Sequence, residues 1–239
     1  MRSPDHNRET QVTATLSIVI PTLDAEKHLP RCLDSLIEGL TLGLIRDLVI
    51  TDGGSTDATV EMAHDVGATL VSGPASRGGQ LRRGVAAARG DWLLVLHADT
   101  MLSPGWSEVV IDHIRDEGGP AHFRLAFREG GLMPALVAGW ANLRSSVFSL
   151  PYGDQGLLMR RSDHDAAGGY PDQPLMEDVA LVRALGRQGR LVRLEARATT
   201  SAERYLRDGW IRRGMRNLWT MLRYMTGADP ERLAAGYRR

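Results

Sequence analysis

The stretches LSIVIPTLD (residues 16–24) and RDLVITDGGSTD (residues 46–57) decide the fold of this chain. Each contains a short apolar run rich in β-branched residues, which is typical of a strand buried on both faces. Each then ends in polar residues. The run DWLLVLHAD (residues 91–99) has the same form. Because helical patterns separate these runs, the sequence predicts βαβ units and a parallel sheet.

The remaining segments complete the predicted order of elements. Helices are predicted from the apolar stripe Leu29 to Leu40, over residues 56–67, 79–90 and 176–189, and after Pro134 within residues 131–148. Further strands are predicted over residues 68–73, 121–127, 156–161 and 190–201. The amino-terminal half therefore has the pattern of a nucleotide-binding half-sheet, and the carboxy-terminal half is expected to shape a pocket.

The charge of the chain is balanced overall but not along its length. The 239 residues carry a formal net charge of zero, so the whole chain has no bias toward nucleic acid. Residues 204–239 nevertheless contain nine arginines and only three acidic residues. Within this segment apolar side chains recur at helical spacing: Ile211, Met215, Leu218, Trp219, Leu222 and Met225. Two interpretations stay open, a helix packed on the rest of the chain with a solvated arginine face, or a basic helix lying on an anionic membrane.

The single cysteine and the first twelve residues indicate the cellular compartment in which the chain is expected. Cys32 has no partner for an intrachain disulfide, so a reducing compartment is expected. It falls on the apolar face of the first predicted helix, which favours a buried side chain over a reactive thiol. The first twelve residues are polar and lack the apolar core of a signal peptide. No apolar run is long enough to span a bilayer, so the expected location is the cytoplasm, with the inner face of the membrane as the alternative.

Polar residues follow three of the predicted strands. These segments are Pro21 to Asp24, Asp52 to Asp57, and His97 to Asp99. Because the carboxyl ends of parallel strands meet at one edge of the sheet, the three segments are expected to share a ligand site. Asp99 could bind a hard divalent cation that also bridges two phosphates, and His97 could bind or support it. The histidines show no zinc-site spacing.

Three other segments could contribute to such a site. Arg77 and the glycines after it precede a helix, where they could bind an anion or form a flexible turn. Glu177 and Asp178 lie in the first turn of a helix, where acids suit the helix dipole, although either could act as a general base. Asp154 and Gln155 lie on a glycine-flanked turn and could bind sugar hydroxyls or only shape the turn.

Taken in order, six segments resemble glycosyltransferase family 2, the inverting enzymes of GT-A fold. They are SIVIPTLDAEKHLPRCLDSL, VITDGGSTDAT, RGGQLRRG, LHADT, YGDQGLLMRR and MEDVALVRAL. The resemblance is closest to a small bacterial branch called rSAM/selenodomain-associated transferase 2. It runs from about Leu16 to Ser201, and the later segments TSAERY and GWIRRGMRN also resemble that branch.

The resemblance implies an α/β fold of GT-A type, with a mostly parallel central sheet flanked by helices and a carboxy-terminal helical extension. The expected divisions are a flexible tail over residues 1–14, the GT-A domain over residues 15–201, and the basic extension over residues 202–239.

The resemblance also implies roles for individual residues. The nucleotide would be bound by Pro21, Thr22, Asp24, Asp52, Arg77 and Gln80. Independently of the resemblance, Asp154, Gln155 and Glu177 are the candidates for binding the acceptor or sugar. Asp178 matches the family's catalytic base. Asp99 matches the last acid of the Asp-x-Asp metal motif, for Mg²⁺ or Mn²⁺. The first acid of that motif is His97 here, and no histidine follows His164 to supply a late metal ligand.

The function expected from the resemblance is inverting transfer of a sugar from a nucleoside-diphosphate donor, UDP-linked in most of the family, to a hydroxyl. The acceptor could be a small molecule or lipid-linked. One alternative is a catalytically silent protein that binds nucleotide sugars or acts as a scaffold, which His97 favours and Asp178 opposes. A sugar-nucleotide pyrophosphorylase would need a glycine-rich loop after the first strand, and the segment PTLDAEKH has no glycine.

Overall fold

The computed structural model describes residues 14–237, so nearly all of the predicted amino-terminal tail lies outside the described residues. Eight strands form one sheet in the order β3-β2-β1-β4-β7-β6-β8-β5. The strands are β1 (Leu16–Thr22), β2 (Ile45–Asp52), β3 (Thr69–Ser72), β4 (Trp92–Val95), β5 (Met101–Leu102), β6 (Ala121–Phe127), β7 (Leu157–Arg160) and β8 (Val192–Thr200).

Ten α-helices accompany the sheet within the described residues. They are α1 (Leu29–Thr41), α2 (Thr59–Asp65), α3 (Arg77–Ala87), α4 (Trp106–Arg115), α5 (Leu132–Phe148), α6 (Arg161–Ala166), α7 (Glu177–Gly186), α8 (Glu203–Asp208), α9 (Trp210–Met225) and α10 (Pro230–Tyr237). None of these helices is both long enough and apolar enough to cross a membrane.

The predicted α/β fold is confirmed, but the sheet is mixed. Strands β1 to β4 pair in parallel, as the βαβ pattern predicted. Strand β7 then pairs antiparallel with both β4 and β6, and β5 pairs antiparallel with β8. Helix α5 begins at Leu132 and so contains Pro134 in its first turn, where a missing N–H breaks no helical hydrogen bond.

Side chains of the central strands alternate between two apolar layers. Ile18 and Leu94 pack into one layer with Trp106 of α4, while Val19 and Leu93 pack into the other layer. Because both faces of these strands are covered, they read as continuous apolar runs in the sequence. Cys32 belongs to the first layer and is fully buried, as predicted. Burial raises the pKa of its thiol to about 12, which keeps the thiol protonated.

The last helix docks on the segment that precedes and begins α7. Leu233 and Ala234 of α10 pack against Leu175, Met176 and Val179 in a third, smaller apolar cluster. Helix α8 contacts α9, and α9 contacts both α5 and α10. The extension is thus packed against the sheet domain near the carboxyl ends of its strands.

Candidate active site

Two adjoining cavities open at the carboxyl ends of the parallel strands. The first cavity is lined by the predicted nucleotide-site residues Pro21, Thr22, Asp24, Arg77 and Gln80. The second cavity is lined by the predicted base and turn residues Asp178 and Asp154. Arg77, His97 and Asp99 line both cavities. The segments that sequence reasoning grouped together therefore meet, and the residues shared by both cavities mark the junction between them.

Hydrogen bonds join the loops after β1 and β2 into one wall of the first cavity. The N–H of Asp24 donates to Oγ of Ser55 over 2.9 Å, and Oδ1 of Asp24 accepts the N–H of Thr56 over 2.9 Å. Asp24 holds a positive φ of 47°, which turns the chain back toward this second loop. The two loops therefore fix each other before any ligand binds.

Asp52 and Gln80 stabilise the same two loops through hydrogen bonds to their backbone. Oδ2 of Asp52 accepts the N–H groups of Gly54 and Ser55 over 2.7 and 2.8 Å. Burial works to raise the pKa of Asp52, but hydrogen bonds from Ser55, Gly54 and Thr22 outweigh it and lower that pKa. Nε2 of Gln80 donates to the carbonyls of Thr22 and Thr51 over 2.7 and 2.9 Å. Asp52 lines neither cavity, so its present contacts are those of a loop-shaping residue.

Arg77 is held between two elements that are far apart in sequence. It opens α3 directly after Ser76, whose Oγ accepts the N–H of Gly79 and so caps the helix. Nε of Arg77 lies 3.0 Å from Oε1 of Glu177, and Nη2 lies 3.0 Å from Nε2 of His97. The guanidinium is therefore fixed at the junction of the cavities as a positive charge.

His97 is a neutral hydrogen-bond acceptor in this arrangement. A guanidinium has no acceptor atom, so Nε2 of His97 accepts from Arg77 and the ring proton lies on Nδ1. Burial, with the positive charge of Arg77, lowers the pKa of His97 to about 4, although the carboxylates of Asp99 and Asp178 oppose this. Nε2 is therefore not free to bind a metal while Arg77 stays in place.

The low pKa of His97 leads to a prediction for the ligand-free protein. In the unfolded chain His97 takes up a proton near pH 6.5, whereas in the folded chain it does so only near pH 4. Stability should therefore fall as pH drops between these values, by about 3 kcal/mol at most from this group. Urea unfolding of the wild type and of His97→Gln across this range isolates the effect. An identical pH dependence of the two proteins would contradict it.

Asp178 lies in the second cavity with both carboxylate oxygens oriented. Oδ2 accepts the N–H of Gly153 and Oδ1 accepts the N–H of Val179, each over 2.8 Å. The residue before α7, Met176, holds a positive φ of 64°, which is unusual outside glycine. This bend starts α7 so that Glu177 turns inward to Arg77 while Asp178 faces the cavity.

Gly153 allows the close approach of His97 and Asp178. A Cβ at this position would lie 2.6 Å from Nε2 of His97 and 3.3 Å from Oδ2 of Asp178. Gly153→Ala should therefore displace one of these side chains, and a displacement of about 1 Å can cost about 10²-fold in turnover. Gly119→Ala is the matched control, because a Cβ there meets nothing within 4 Å. Equal turnover of the two variants would show that turnover does not need the close approach of His97 and Asp178 to Gly153.

Asp99 and Asp154 provide oxygen atoms suited to a hard cation. Asp99 lines both cavities, and Oδ1 of Asp154 is buried without a hydrogen-bond partner. Burial, with the charges of Asp178 and Asp99, raises the pKa of Asp154 to about 6, although Arg144 opposes this. The described residues contain no group of three or more His, Cys, Asp or Glu side chains that could hold a metal ion. These oxygens therefore fit Mg²⁺ or Mn²⁺ only if a ligand's phosphates complete the coordination.

The carboxy-terminal extension supplies a wall of the second cavity, which sequence reasoning treated separately. Arg204, Tyr205, Arg213, Asn217 and Tyr237 all line this cavity. Arg213 pairs with Asp208 over 3.1 Å and donates to Oη of Tyr237, which in turn donates to Asn217 over 2.8 Å. The only sequence signal for this wall was the resemblance of the segments TSAERY and GWIRRGMRN.

Two residues predicted to bind the acceptor, Gln155 and Glu177, are buried and contact other parts of the protein. Gln155 is fully buried, and its amide bonds with Ser145 of α5 and the Phe123 carbonyl of β6, so it does not face either cavity. Glu177 is 1% exposed and is engaged with Arg77, and burial raises its pKa against the opposing charge of Arg77. The expectation that these two residues contact the acceptor is therefore corrected: Gln155 fixes the turn, and Glu177 positions Arg77.

Residues 17–131 match the family described as Glycosyl transferase family 2. A PGL/p-HBAD biosynthesis glycosyltransferase of Mycobacterium bovis (strain BCG / Pasteur 1173P2) is 42% identical over 93 residues, which are 36% of this chain and 36% of that protein. A glucosyl-3-phosphoglycerate synthase of Mycolicibacterium paratuberculosis is 36% identical over 94 residues, which are 36% of this chain and 28% of that protein. The match thus covers about a third of the length of these curated relatives.

Solved structures are similar over a larger part of the chain. Glucosyl-3-phosphoglycerate synthase from Mycobacterium tuberculosis, in complex with Mn²⁺, uridine diphosphate and phosphoglyceric acid, is 23% identical with a TM-score of 0.53, over 79% of this chain and 69% of that chain. S. aureus TarS 1–349 is 14% identical with a TM-score of 0.61, over 92% of this chain and 68% of that chain. Residues 17–131 are therefore similar to a family 2 glycosyltransferase domain, and the chain has the GT-A fold of these solved structures.

Proposed function

We propose that this chain is an inverting glycosyltransferase that moves a sugar from a nucleoside-diphosphate donor, most simply UDP-linked, to an acceptor hydroxyl. The observation that carries the proposal is the junction of the two cavities. Nucleotide-site candidates line one cavity, Asp178 lines the other, and Arg77 and Asp99 line both. A donor in the first cavity would present its sugar to an acceptor in the second. Assignment to the rSAM/selenodomain-associated branch stays a prediction.

The proposed reaction is a single displacement. Asp178 accepts the proton of the acceptor hydroxyl while the oxygen forms a bond to the anomeric carbon of the sugar. The bond from that carbon to the diphosphate oxygen breaks, and its electron pair leaves with the nucleoside diphosphate. Attack from the face opposite the leaving group inverts the configuration. The N–H groups of Gly153 and Val179 orient the carboxylate of Asp178 for this proton transfer.

Positive charge beside the leaving group is the second requirement. Arg77 provides a fixed positive charge at the junction, held by Glu177 and His97. A divalent cation bound by Asp99 and the phosphates would offset the charge that develops on the leaving diphosphate. The presence of Mn²⁺ and uridine diphosphate in the M. tuberculosis synthase structure supports this choice of metal and nucleotide.

Thermal unfolding with UDP, GDP, dTDP and CDP, each with and without Mn²⁺, tests the donor half of the proposal. We expect one diphosphate, UDP, to stabilise the protein, and Mn²⁺ to increase that stabilisation. A ligand at about 100 times its dissociation constant adds about 2.7 kcal/mol, which such a measurement detects. Absence of any shift would contradict donor binding in the first cavity.

The silent alternative rests on one observation. His97 replaces an acid of the metal motif, and its Nε2 is already occupied by Arg77. A protein of this kind would bind a nucleotide sugar without consuming it. Turnover of the donor, and not its binding, separates the two functions.

A further inference from the structure

We propose that the exposed apolar faces of the neighbouring helices α5 and α9, with the arginines at the edge of α9, form a surface that docks on an anionic lipid bilayer. The proposal extends the membrane interpretation of the basic segment to a second helix. It does not depend on the proposed transfer reaction. It rests on the side chains exposed on each helix and on their charge.

Helix α5 presents only apolar residues at its exposed positions. These positions are Leu132, Ala135, Leu136, Gly139, Trp140, Leu143, Val147 and Phe148. The six large side chains among them are each between 52% and 75% exposed. A helix on the surface of a soluble domain normally turns its charged residues to water, and α5 turns none.

Helix α9 has an apolar row of the same kind. Its large exposed apolar side chains are Ile211, Met215, Trp219, Leu222 and Met225, each between 40% and 73% exposed. At about 100° per residue they fall within an arc of about 120°. Arg212, Arg216 and Arg223 follow along one edge of that arc. Helix α9 is therefore an amphipathic helix whose apolar row lies beside cationic side chains.

The charge of both helices selects the kind of partner. Neither α5 nor α9 contains an aspartate or a glutamate, although the whole chain has 29 acidic residues. An apolar surface with arginines along one edge complements acyl chains beneath anionic headgroups. Trp140 and Trp219, 52% and 63% exposed, have the amphipathic rings that suit such an interface.

A second copy of this chain is the less suitable occupant. In a two-fold dimer each patch meets the same patch of its partner, so the arginines of one α9 would approach those of the other. No acidic residue on either helix would offset that repulsion. Exposed apolar patches of this extent mark interaction surfaces, and the charge pattern favours the bilayer.

The position of α9 gives this surface a relation to the candidate site. Arg213 and Asn217 of α9 line the second cavity, whereas the apolar row lies on the other side of the same helix. A bilayer docked on α9 would thus lie one helix diameter from that cavity, about 10 Å. An acceptor drawn from the membrane would have a short path to Asp178.

Flotation of the full chain with lipid vesicles tests the proposal. We expect binding to vesicles of phosphatidylcholine mixed with phosphatidylglycerol, weak binding to phosphatidylcholine alone, and a loss of binding as salt is raised. Trp140→Gln and Trp219→Gln should each weaken binding by about tenfold. Arg212→Gln and Arg223→Gln should each weaken binding to the anionic vesicles by about fivefold.

Matched substitutions on α1 control for general surface effects. Leu40 is 65% exposed and Arg31 is also exposed, and α1 contacts β5 and α4. Leu40→Gln and Arg31→Gln should leave vesicle binding unchanged, and circular dichroism should show that all variants are folded. Absence of vesicle binding at low salt would overturn the proposal. So would binding that all four surface variants retain, or a stable dimer whose mass is halved by Trp219→Gln.

Discussion

Replacement of Asp178 by asparagine should lower turnover of the sugar donor by about 10²–10⁴-fold, the range that a general base contributes. The amide keeps the size of the side chain and one acceptor oxygen, so the contact with the N–H of Gly153 can persist. It cannot accept the proton of the acceptor hydroxyl. Donor binding should be nearly unchanged, because Asp178 lines the second cavity and not the first. Release of UDP from a UDP-sugar measures the effect.

Asp112→Asn is the control for this substitution. Asp112 lies on α4, where its carboxylate is exposed and contacts only the neighbouring Arg115 over 3.1 Å. This variant should retain the turnover of the wild type. Normal turnover by Asp178→Asn would instead remove Asp178 from the mechanism, and the search for a base would move to Asp154, another carboxylate that lines that cavity.

Replacement of Asp99 by alanine should abolish the contribution of Mn²⁺ to UDP binding. In the wild type, Mn²⁺ with UDP should stabilise the fold by about 2.7 kcal/mol when UDP is at about 100 times its dissociation constant in the presence of the metal. Asp99→Ala should keep only the smaller shift given by UDP alone, because the loops after β1 and β2 remain intact. Thermal unfolding with UDP, with and without Mn²⁺, measures both quantities.

Glu108→Ala serves as the control, since Glu108 is exposed on α4 away from both cavities. It should show the full Mn²⁺-dependent shift. If Asp99→Ala also showed that shift, the cation would be bound elsewhere and the interpretation of the His97–Asp99 segment as a metal motif would be wrong.

The sequence predicted which segments would meet because a physical rule connects them. Strands with apolar runs form a parallel sheet, and the carboxyl ends of such strands share one edge. Asp24 and Asp99 follow two of these strands and line the same cavity. The order of elements up to β4 followed from periodicity alone, whereas the antiparallel insertion of β7 did not, because a short apolar run does not reveal the direction of its pairing.

The direction in which each site side chain points could not be predicted from the sequence pattern. Glu177 and Asp178 are both acids in the first turn of a helix, and only the fold shows that one turns to Arg77 and the other to the cavity. Gln155 lies on a glycine-flanked turn, which predicts exposure, yet hydrogen bonds to α5 and β6 bury it. Arg77 and Glu177 are 100 positions apart, and no local pattern predicts contacts at that distance.

For the carboxy-terminal extension, the sequence pattern predicted the helix but not which part of the protein it contacts. Its helical spacing was readable, and the outward apolar row of α9 follows from that spacing. The contact of α9 with the second cavity does not follow from it, since the cavity-lining positions Arg213 and Asn217 are polar residues like those on any solvated face. The inward face of α9 is seen only in the fold, where its Tyr224 packs against the same cluster around Met176 as Leu233 and Ala234 of α10.

Turnover of UDP-sugars by the purified wild-type chain is the most direct test of the central claim. The protein would be incubated with Mn²⁺ and a panel of UDP-linked sugars, with small hydroxyl acceptors and with a lipid extract. UDP release and the anomeric configuration of the product would be followed by nuclear magnetic resonance. We predict release of UDP with one donor and a product of configuration opposite to that of the donor. Donor binding without any UDP release would contradict the account and leave a nucleotide-sugar-binding protein in its place.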